Sequence, residues 1–558
     1  MKNLIIKNWP LILIIFLSFL ITWPLLLPGY FPHHDDLQVM RIFEMRKCFL
    51  DLQIPCRWVP DMGFGNGFPL FNYYGPFPYY IGAFLTIFLG FVWAAKALFF
   101  IPLLLGGVSM YLLGKELFGK IPGMTAGVLY LFAPYRAVDA YVRGAIAESF
   151  ALALSPLVFY FFFKLVKERS LKFFWGASIT LGLFLTIHNI MNLFFIPLLV
   201  LFVIFHLFIQ KGKNFLPVTI SMLLGVGLAA YFLLPAYFEE SLVQTNTLTR
   251  FDLDFRVHFV TVGQLFFERA WGYGASVLGP KDLLSFQTGW PHWWLVPVAF
   301  ILFIFTVLKK REKTLENAVL IALFLGVFVF SVFMTHNKSA FVWEGIGILR
   351  FAQFPWRFLS LTIFAASLLG GFVLCAFIGR IQKVLAILII FLAVALNWNY
   401  FRPESFNYSV TDSNKLSGPE WETQQKASIL DYLPETALEP REKAPPTPLI
   451  RSGQASVMNF IQRSNSFEFD ATVDTISTIE VPVFDFPNWQ VFINGVDISH
   501  SNKNFLGRIS LNLGPGQYRV KGKFNDTGIR SLGNMITLAS IFIGIFLVIY
   551  GKHKKFFK

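Results

Sequence analysis

Long apolar runs with no charged residue constrain this 558-residue chain more than any other feature. They recur along the chain at residues 11–27, 150–163, 195–208, 318–333 and 384–396. With their flanks, these runs approach the roughly 20 residues that a helix needs to cross the hydrocarbon core of a bilayer. Only 14% of all residues are charged, whereas a soluble domain usually has about 25%. The chain is therefore predicted to be a polytopic α-helical membrane protein.

The positions of the basic residues predict how the chain is oriented in a cell membrane. With the N-terminus placed inside, the inner segments contain 20 Lys and Arg but only four Asp and Glu. This positive-inside distribution explains the net charge of +14 without a nucleic-acid partner. Both termini are accordingly predicted to be cytoplasmic. The orientation rests on about twelve predicted spans, which are residues 9–28, 96–114, 121–136, 147–166, 171–188, 190–209, 215–235, 291–308, 316–335, 357–379, 384–400 and 532–551.

Two apolar segments near the N-terminus need a separate interpretation. The first span follows Lys2 and Lys7, as a signal peptide would, but no small-x-small cleavage site follows it. We interpret it as a retained helix, with a cleaved signal as the alternative. Residues 77–92 are also apolar, but a span there would move Lys115 and Lys120 to the outer side. We therefore expect an interfacial or re-entrant helix at 77–92.

Three regions follow from this pattern. Residues 1–400 are predicted to form a transmembrane domain with outer loops at 29–76 and 236–290. Residues 401–530 are expected outside the membrane, and residues 531–558 comprise the last span and a basic cytoplasmic tail. Cys48 and Cys56 lie in the first outer loop, where a disulfide is one option.

The second half of region 401–530 alternates apolar and polar residues as strands do. Residues 466–473 and 489–493 show this alternation, and Asn494-Gly495 is a strong hairpin signal. A small antiparallel β-sandwich is predicted here, preceded by a proline-rich linker or irregular cover. It is expected to be accessory, because it lacks an acidic and aromatic cluster like that of the first loop.

The sharpest chemical cluster follows the first predicted span, at His33, His34, Asp35 and Asp36. Adjacent carboxylates beside imidazoles can bind a divalent metal such as Mg²⁺ or Mn²⁺, or one carboxylate can deprotonate a hydroxyl. The alternative is that these side chains only cap a helix that starts near Leu37. No Cys or His spacing indicates a zinc site.

The rest of the first outer loop is rich in glycine and aromatic residues. Arg57, Trp58, Asn72 and Tyr73 lie within residues 54–76, where aromatic faces suit sugar rings or lipid. An aromatic belt at the membrane interface is the simpler interpretation, but the glycine, Arg and Asn content favours a shaped binding loop.

Several of these motifs resemble known families. His34-Asp35, Arg57-Trp58, the run 63–74 and the motif 353–357 resemble the bacterial 6-pyruvoyl-tetrahydropterin synthase-related membrane proteins. Residues 431–434 and 486–489 resemble YfhO-like membrane proteins. Both groups look like members of the GT-C superfamily of glycosyltransferases that use polyprenyl-phosphate sugars. A pterin is not expected, because the chain shows neither a soluble α/β domain nor a zinc-binding histidine set.

The resemblance implies roles for particular residues. Asp35 is the expected catalytic base, with Asp36 as its backup or a metal ligand, and Glu148 matches a second acid at a helix end. The alternative for Glu148 is a structural pair with Arg143. Guanidinium groups suit phosphate oxygens, and Arg350 and Arg357 flank the motif that contains Gln353. One of them could hold a lipid phosphate, while the other could only extend into the lipid headgroups. The substrate-binding candidates are His34, Arg57, Trp58, Asn72, Tyr73, Arg143, Arg350, Gln353 and Arg357.

Together these features predict a GT-C-like glycosyltransferase of the cell envelope. The donor would be a sugar on a polyprenyl phosphate in the membrane lipid, and the acceptor an extracytoplasmic glycan, lipid or protein. Two alternatives stay open: a transporter or flippase for lipid-linked sugars, and a non-catalytic envelope assembly protein. A transporter would need acidic residues along a path through the spans, whereas most acids here fall on one predicted face.

Overall fold

A computed structural model describes residues 2–249, 251–279, 281–308, 312–428 and 432–553. The first twelve helices are α1 Lys2–Thr22, α2 Gln38–Leu50, α3 Leu70–Tyr73, α4 Phe77–Leu85, α5 Phe91–Phe118, α6 Lys120–Leu131, α7 Pro134–Ala137, α8 Ile146–Lys167, α9 Leu171–Leu185, α10 Asn189–Ile209, α11 Phe215–Leu228 and α12 Ala230–Phe238. The later helices are α13 Val262–Phe266, α14 Trp290–Leu308, α15 Glu312–Thr335, α16 Ala340–Gly345, α17 Leu359–Val373, α18 Gly379–Asn397, α19 Asp412–Leu416, α20 Gly418–Ala427 and α21 Gly528–His553.

The helical region confirms the membrane class. Among the described residues, nine helices are long and apolar enough to cross a bilayer, and a tenth span results if α11 and α12 are taken together. That pair bends by 67° at its break. Two further predicted spans correspond to α6 and α9, which have only 12 and 15 residues. The count of about twelve spans is therefore not confirmed.

The expectation for residues 77–92 agrees with the helix lengths. Helix α4 has nine residues, which rise about 1.5 Å each and so cannot cross a core about 30 Å thick. It packs against α2 and α5. The next span, α5, begins only at Phe91.

Helix α5 is central to the bundle and packs against α1, α6 and α8. Glycines permit its close crossing with α6, because a Cβ at Gly123 would lie 2.3 Å from the backbone nitrogen of Lys115. The ends of α5 and α8 also meet, where Lys164 Nζ donates a hydrogen bond to Glu116 at 3.2 Å. These basic helix ends lie opposite the end at which α8 and α10 begin.

The C-terminal region contains the β domain that the alternation predicts. Its strands are β1 Leu449–Ser452, β2 Ala455–Gln462, β3 Ser466–Val473, β4 Ser477–Phe484, β5 Trp489–Ile493, β6 Val496–Ile498, β7 Arg508–Leu513 and β8 Gly516–Phe524. They form antiparallel sheets of order β1-β4-β7 and β2-β3-β8-β5-β6. Both turn residues of the β5–β6 hairpin, Asn494 and Gly495, have positive φ angles of 50° and 85°, as a type I′ turn requires.

Residues 401–428 and 432–448 lie outside the two sheets, and they are more than a linker. Asn407 pairs with Tyr30 through two backbone hydrogen bonds of 3.0 and 2.8 Å. The carboxylate of Asp412 accepts hydrogen bonds from the backbone nitrogens of Phe91 and Val92, at 2.7 and 2.8 Å, at the start of α5. This segment is therefore bound to the transmembrane domain, because a carboxylate satisfies N–H groups that a helix start leaves unpaired.

A disulfide joins Cys48 and Cys56 at the end of α2. Beyond it, the side chain of Trp58 is buried against the β domain, with its ring 5.5 Å from that of Trp489 and 5.3 Å from that of Phe524. The first loop thus forms the seam between the helical and β domains.

Candidate functional site

A cavity of about 660 Å³ lies at the end of the bundle where α8, α10 and α17 begin. The loop after α1 and helix α20 form other parts of its wall. Its lining combines apolar side chains with many ionisable ones. The ionisable residues of the lining are His34, Asp35, Asp36, Arg41, Arg143, Glu148, His188, Asp252, His258, Arg357 and Glu420.

Backbone contacts bring the acidic loop to the cavity. The backbone nitrogens of His34 and Asp35 donate to the carbonyl oxygens of Val142 and Arg143, at 3.0 and 2.9 Å. Gly144 follows in the left-handed region, with φ at 69°. A Cβ there would lie 2.2 Å from Nδ1 of His33, so the close approach of the two loops requires glycine.

One carboxylate oxygen of Asp35 accepts hydrogen bonds from the protein, and the other is accessible from the cavity. Its Oδ2 accepts hydrogen bonds from Arg41 Nη1 at 2.7 Å and from Gln38 Nε2 at 3.1 Å. Its side chain remains 34% exposed, and Oδ1 accepts no hydrogen bond from any residue that the structure describes. An oriented carboxylate with a free oxygen in a cavity has the geometry of a general base.

The neighbouring Asp36 is in a different environment. Its Oδ2 accepts a hydrogen bond of 2.7 Å from Lys415 Nζ, which also bonds Glu420 at 2.7 Å. Burial raises the pKa of the Asp36 carboxyl to about 6, against the opposing effect of Lys415. His33 lies 3.7 Å from Asp36, and burial lowers the pKa of this histidine to about 3. Asp36 is thus already engaged in an ion pair.

On another wall of the cavity, Glu148 lies between two arginines. Its Oε2 accepts a hydrogen bond of 2.8 Å from Arg143 and lies 3.5 Å from Nε of Arg357. Its Oε1 accepts a hydrogen bond from the hydroxyl of Tyr135. Glu148 is only 1% exposed, and the pair with Arg143 that the sequence offered as the alternative is present. A catalytic role of Glu148 stays a prediction.

The two guanidinium groups keep donors for a ligand. Arg143 stacks over the ring of Trp356 at 4.6 Å, and Arg357 donates to the Gln353 side chain at 2.9 Å. Nη2 of each arginine donates to no residue within the described ranges. Burial and the charge of Glu148 raise the pKa of Asp139, the other acid beside Arg143. The wall thus presents two guanidinium groups with available Nη2 donors, which suit phosphate oxygens.

Seven of the twelve residues expected from the sequence line this cavity. They are His34, Asp35, Asp36, Arg143, Glu148, Gln353 and Arg357.

The other five lie elsewhere. Arg57 bonds Asn72 at 3.0 Å, Asn534 at 2.9 Å and Asp526 at 2.9 Å. It thereby ties the first loop to the start of α21. The roles of Arg57 and Asn72 as substrate ligands stay predictions. Trp58 is buried in the β-domain seam described above.

Tyr73 and Arg350 also lie outside the cavity lining. The hydroxyl of Tyr73 donates to the carbonyl oxygen of Glu239 at 2.8 Å, and its ring stacks on Tyr432 at 5.5 Å. Arg350 is exposed on the protein surface. Asp431 of the second family motif lies outside the described residues.

Five ionisable residues of the cavity were not predicted from the sequence, namely Arg41, His188, Asp252, His258 and Glu420. Arg41 lies close in sequence to Asp35, and its helix position could have suggested a partner. The side chain of His188 caps α10, and burial lowers its pKa to about 3. Asp252 and His258 come from the loop region between α12 and α14, and Glu420 comes from helix α20; none of the three carries a local sequence signal.

The acidic pair does not fit a metal site. No group of three or more metal-ligating side chains occurs in the described ranges. Asp35 and Asp36 instead pair with Arg41 and Lys415, and His34 Nε2 lies 2.8 Å from the carbonyl oxygen of Tyr273. Because these groups do not converge, we derive no step through a metal ion.

Comparisons with known proteins agree with the resemblance seen in the sequence. Residues 71–278 match the family model described as "6-pyruvoyl-tetrahydropterin synthase related domain; membrane protein". The match includes Arg143, Glu148, His188 and His258 of the cavity. It confirms the resemblance over those residues, which are less than half of the chain. None of the curated proteins is detectably similar in sequence.

Two solved membrane-protein structures are distantly similar to this chain. The archaeal oligosaccharyltransferase AglB from Archaeoglobus fulgidus, in complex with an inhibitory peptide and a dolichol-phosphate, is 16% identical with a TM-score of 0.40. That alignment covers 79% of this chain and 61% of AglB. The arabinofuranosyltransferase AftD from Mycobacteria is 14% identical with a TM-score of 0.44, over 73% of this chain and 28% of AftD.

Proposed function

We propose that this membrane protein is a glycosyltransferase that moves a sugar from a polyprenyl phosphate to a hydroxyl of an extracytoplasmic acceptor. One observation carries the proposal. A single cavity combines the carboxylate of Asp35, one oxygen of which accepts no hydrogen bond from the described residues, with the guanidinium groups of Arg143 and Arg357. Sugar transfer from a lipid phosphate needs one group to accept a proton and others to hold the departing phosphate.

In the proposed reaction, Oδ1 of Asp35 accepts the proton of the acceptor hydroxyl. The hydroxyl oxygen attacks the anomeric carbon, and the bond between that carbon and the phosphate oxygen breaks. The bonding electrons leave with the lipid phosphate, while the proton remains on Asp35. A single displacement of this kind inverts the configuration at the anomeric carbon.

Arg143 and Arg357 would stabilise the negative charge that develops on the leaving phosphate. Preorganised donors of this type are commonly worth factors of about 10²–10³ in rate. Glu148 holds both guanidinium groups in place, and Arg41 orients the carboxylate of Asp35. Glu148 is therefore proposed as a positioning residue.

The transporter alternative receives less support. Transporters often place their binding sites at broken helices, and the bent pair here is α11 and α12. No residue of these helices lines the cavity among the described parts of the chain. The lining instead comes from helix ends and loops at one end of the bundle.

The experiment uses the full-length protein in liposomes with polyprenyl phosphates that carry radiolabelled hexoses or pentoses. Wild-type protein is expected to release the lipid phosphate and to label an acceptor. Asp35→Asn should lower the rate by about 10²–10⁴ while the protein stays folded. Asp254→Asn is the control, because Asp254 pairs with Arg256 and does not line the cavity. Full activity of Asp35→Asn would rule out Asp35 as the base, and no turnover of any donor by wild type would contradict the function.

A further inference from the structure

A second cavity of about 550 Å³ lies beside the first, between the loop after α1 and residues 405–415. Asp36 and Glu420 line both cavities. Lys415 joins these two acids through hydrogen bonds of 2.7 Å each and is only 5% exposed. The ion-paired triad of Asp36, Lys415 and Glu420 is thus a shared wall between the two cavities.

The side chains of this second cavity differ from those of the first cavity beside Arg143 and Arg357. Its other polar lining consists of neutral hydroxyl and amide side chains, namely Ser405, Asn407, Ser409 and Asn414. These groups both donate and accept hydrogen bonds, as sugar hydroxyls do. No arginine lines the cavity within the described ranges, so it lacks the guanidinium fork that suits a phosphate.

The charge of the lining also favours a neutral ligand. With Asp36 and Glu420 ionised, the triad has two negative charges and one positive charge, so its net charge is about −1 at neutral pH. An anionic chain would meet repulsion here.

Backbone hydrogen bonds and burial fix the position of the residues at the base of this cavity. Tyr30 and Asn407 are joined by two backbone hydrogen bonds of 3.0 and 2.8 Å, and Tyr30 and Phe31 are almost fully buried. A Cβ at Gly29 would lie 2.2 Å from the carbonyl oxygen of Asn407, so this pairing depends on glycine. A preformed site loses less conformational entropy when it binds a ligand.

We infer that this second cavity is an acceptor subsite that binds a neutral oligosaccharide, with the Asp36–Lys415–Glu420 wall lying next to the catalytic cavity. The inference rests on the proposed function and names its acceptor as a glycan chain. A glycan seated between loop 30–32 and residues 405–415 would reach the first cavity at Asp36, beside the proposed base.

Binding can be measured without donor, which separates this inference from the transferase reaction. The probes are neutral maltotetraose and mannotetraose, anionic tetragalacturonate and an uncharged octapeptide, each titrated against full-length protein in nanodiscs. A neutral tetrasaccharide should bind saturably, and Ser405→Trp should weaken that binding about tenfold or more by filling the cavity. Ser413→Trp is the matched control, because Ser413 is exposed nearby but does not line the cavity.

Ser409→Trp provides a second blocking variant, and thermal unfolding of each variant establishes that it is folded. Asp35→Asn should bind the tetrasaccharide as wild type does, because it changes the proposed base and leaves the second cavity intact. The inference would be overturned if no neutral tetrasaccharide bound, if the octapeptide or tetragalacturonate bound instead, or if folded Ser405→Trp and Ser409→Trp bound with wild-type affinity.

Discussion

The backbone nitrogen of Asp35 donates a hydrogen bond of 2.9 Å to the carbonyl oxygen of Arg143. This bond joins the loop that carries the proposed base to the segment that carries a proposed phosphate ligand. Because it is a backbone contact, it positions the two residues without using either side chain. The carboxylate of Asp35 and the guanidinium of Arg143 consequently both reach the cavity.

Removing the buried counter-ion at Glu148 should destabilise the protein. Glu148→Gln leaves Arg143 and Arg357 without the carboxylate that neutralises them, and loss of one partner from a buried pair typically costs about 3–5 kcal/mol. Thermal unfolding in detergent measures the effect. Glu344→Gln is the control, because Glu344 and Arg256 are both more than half exposed, and it should change stability little. Equal stability of Glu148→Gln and wild type would contradict the buried-pair role.

The pH dependence of stability should reveal the environment of Asp36. Burial raises its pKa from 3.8 to about 6 in the folded protein, so the folded state binds more protons than the unfolded state between these values. The contribution of Asp36 to stability should therefore fall as pH rises from about 4 to about 6. The groups that act on it are Asp35, His33, Lys415 and Glu420.

Asp36→Asn removes this titration, and the measurement is the difference in unfolding temperature between wild type and variant across that pH range. Wild type should lose stability relative to Asp36→Asn as pH increases. Asp474→Asn, at an exposed position of the β domain, should keep a constant difference from wild type. A pH-independent difference for Asp36→Asn would show that Asp36 does not titrate in this range.

Trp58→Ala should weaken the seam between the helical and β domains. The side chain is 1% exposed and packs against Phe486, Trp489 and Phe524, and truncation of a buried tryptophan usually costs about 3–5 kcal/mol. Faster proteolysis of the β domain and a lower unfolding temperature would report the loss. Trp398→Ala should have a much smaller effect, because Trp398 is 40% exposed. Unchanged protease resistance of Trp58→Ala would argue against the seam.

Cysteine labelling should establish the orientation in the membrane. Leu52→Cys and Ile476→Cys place thiols at exposed sites, 82% and 76% accessible, in the first loop and the β domain. Lys213→Cys lies in the loop after α10, at the opposite end from the start of that helix at the cavity. Each is made with Cys375→Ser, so that the native free cysteine is absent.

An impermeant maleimide should label Leu52→Cys and Ile476→Cys in intact cells, and Lys213→Cys only after permeabilisation. The physical basis is the basic excess on the predicted inner side. Labelling of Lys213→Cys in intact cells would reverse the proposed orientation.

Much of the architecture follows from local sequence. Apolar runs predict the membrane helices because each run by itself is long enough to need a bilayer, and the strands at 466–473 and 489–493 follow from alternation and the Asn494-Gly495 turn. Whether the short helices α6 and α9 are spans does not follow from the sequence, because hydropathy does not reveal where a helix ends.

At the candidate site, too, some features followed from local sequence and others only from contacts between distant segments. The sequence by itself determined that Asp35 and Asp36 follow the first span and that Glu148 begins a later helix, because both facts depend on residues near one another in the chain. Only the tertiary structure decided that Glu148 is a counter-ion, that Arg57 and Trp58 belong to a domain seam, and that Lys415 reaches Asp36. These outcomes depend on backbone pairings and packing between distant segments, such as those of Asp35 with Arg143 and Tyr30 with Asn407, which no local spacing of residues specifies.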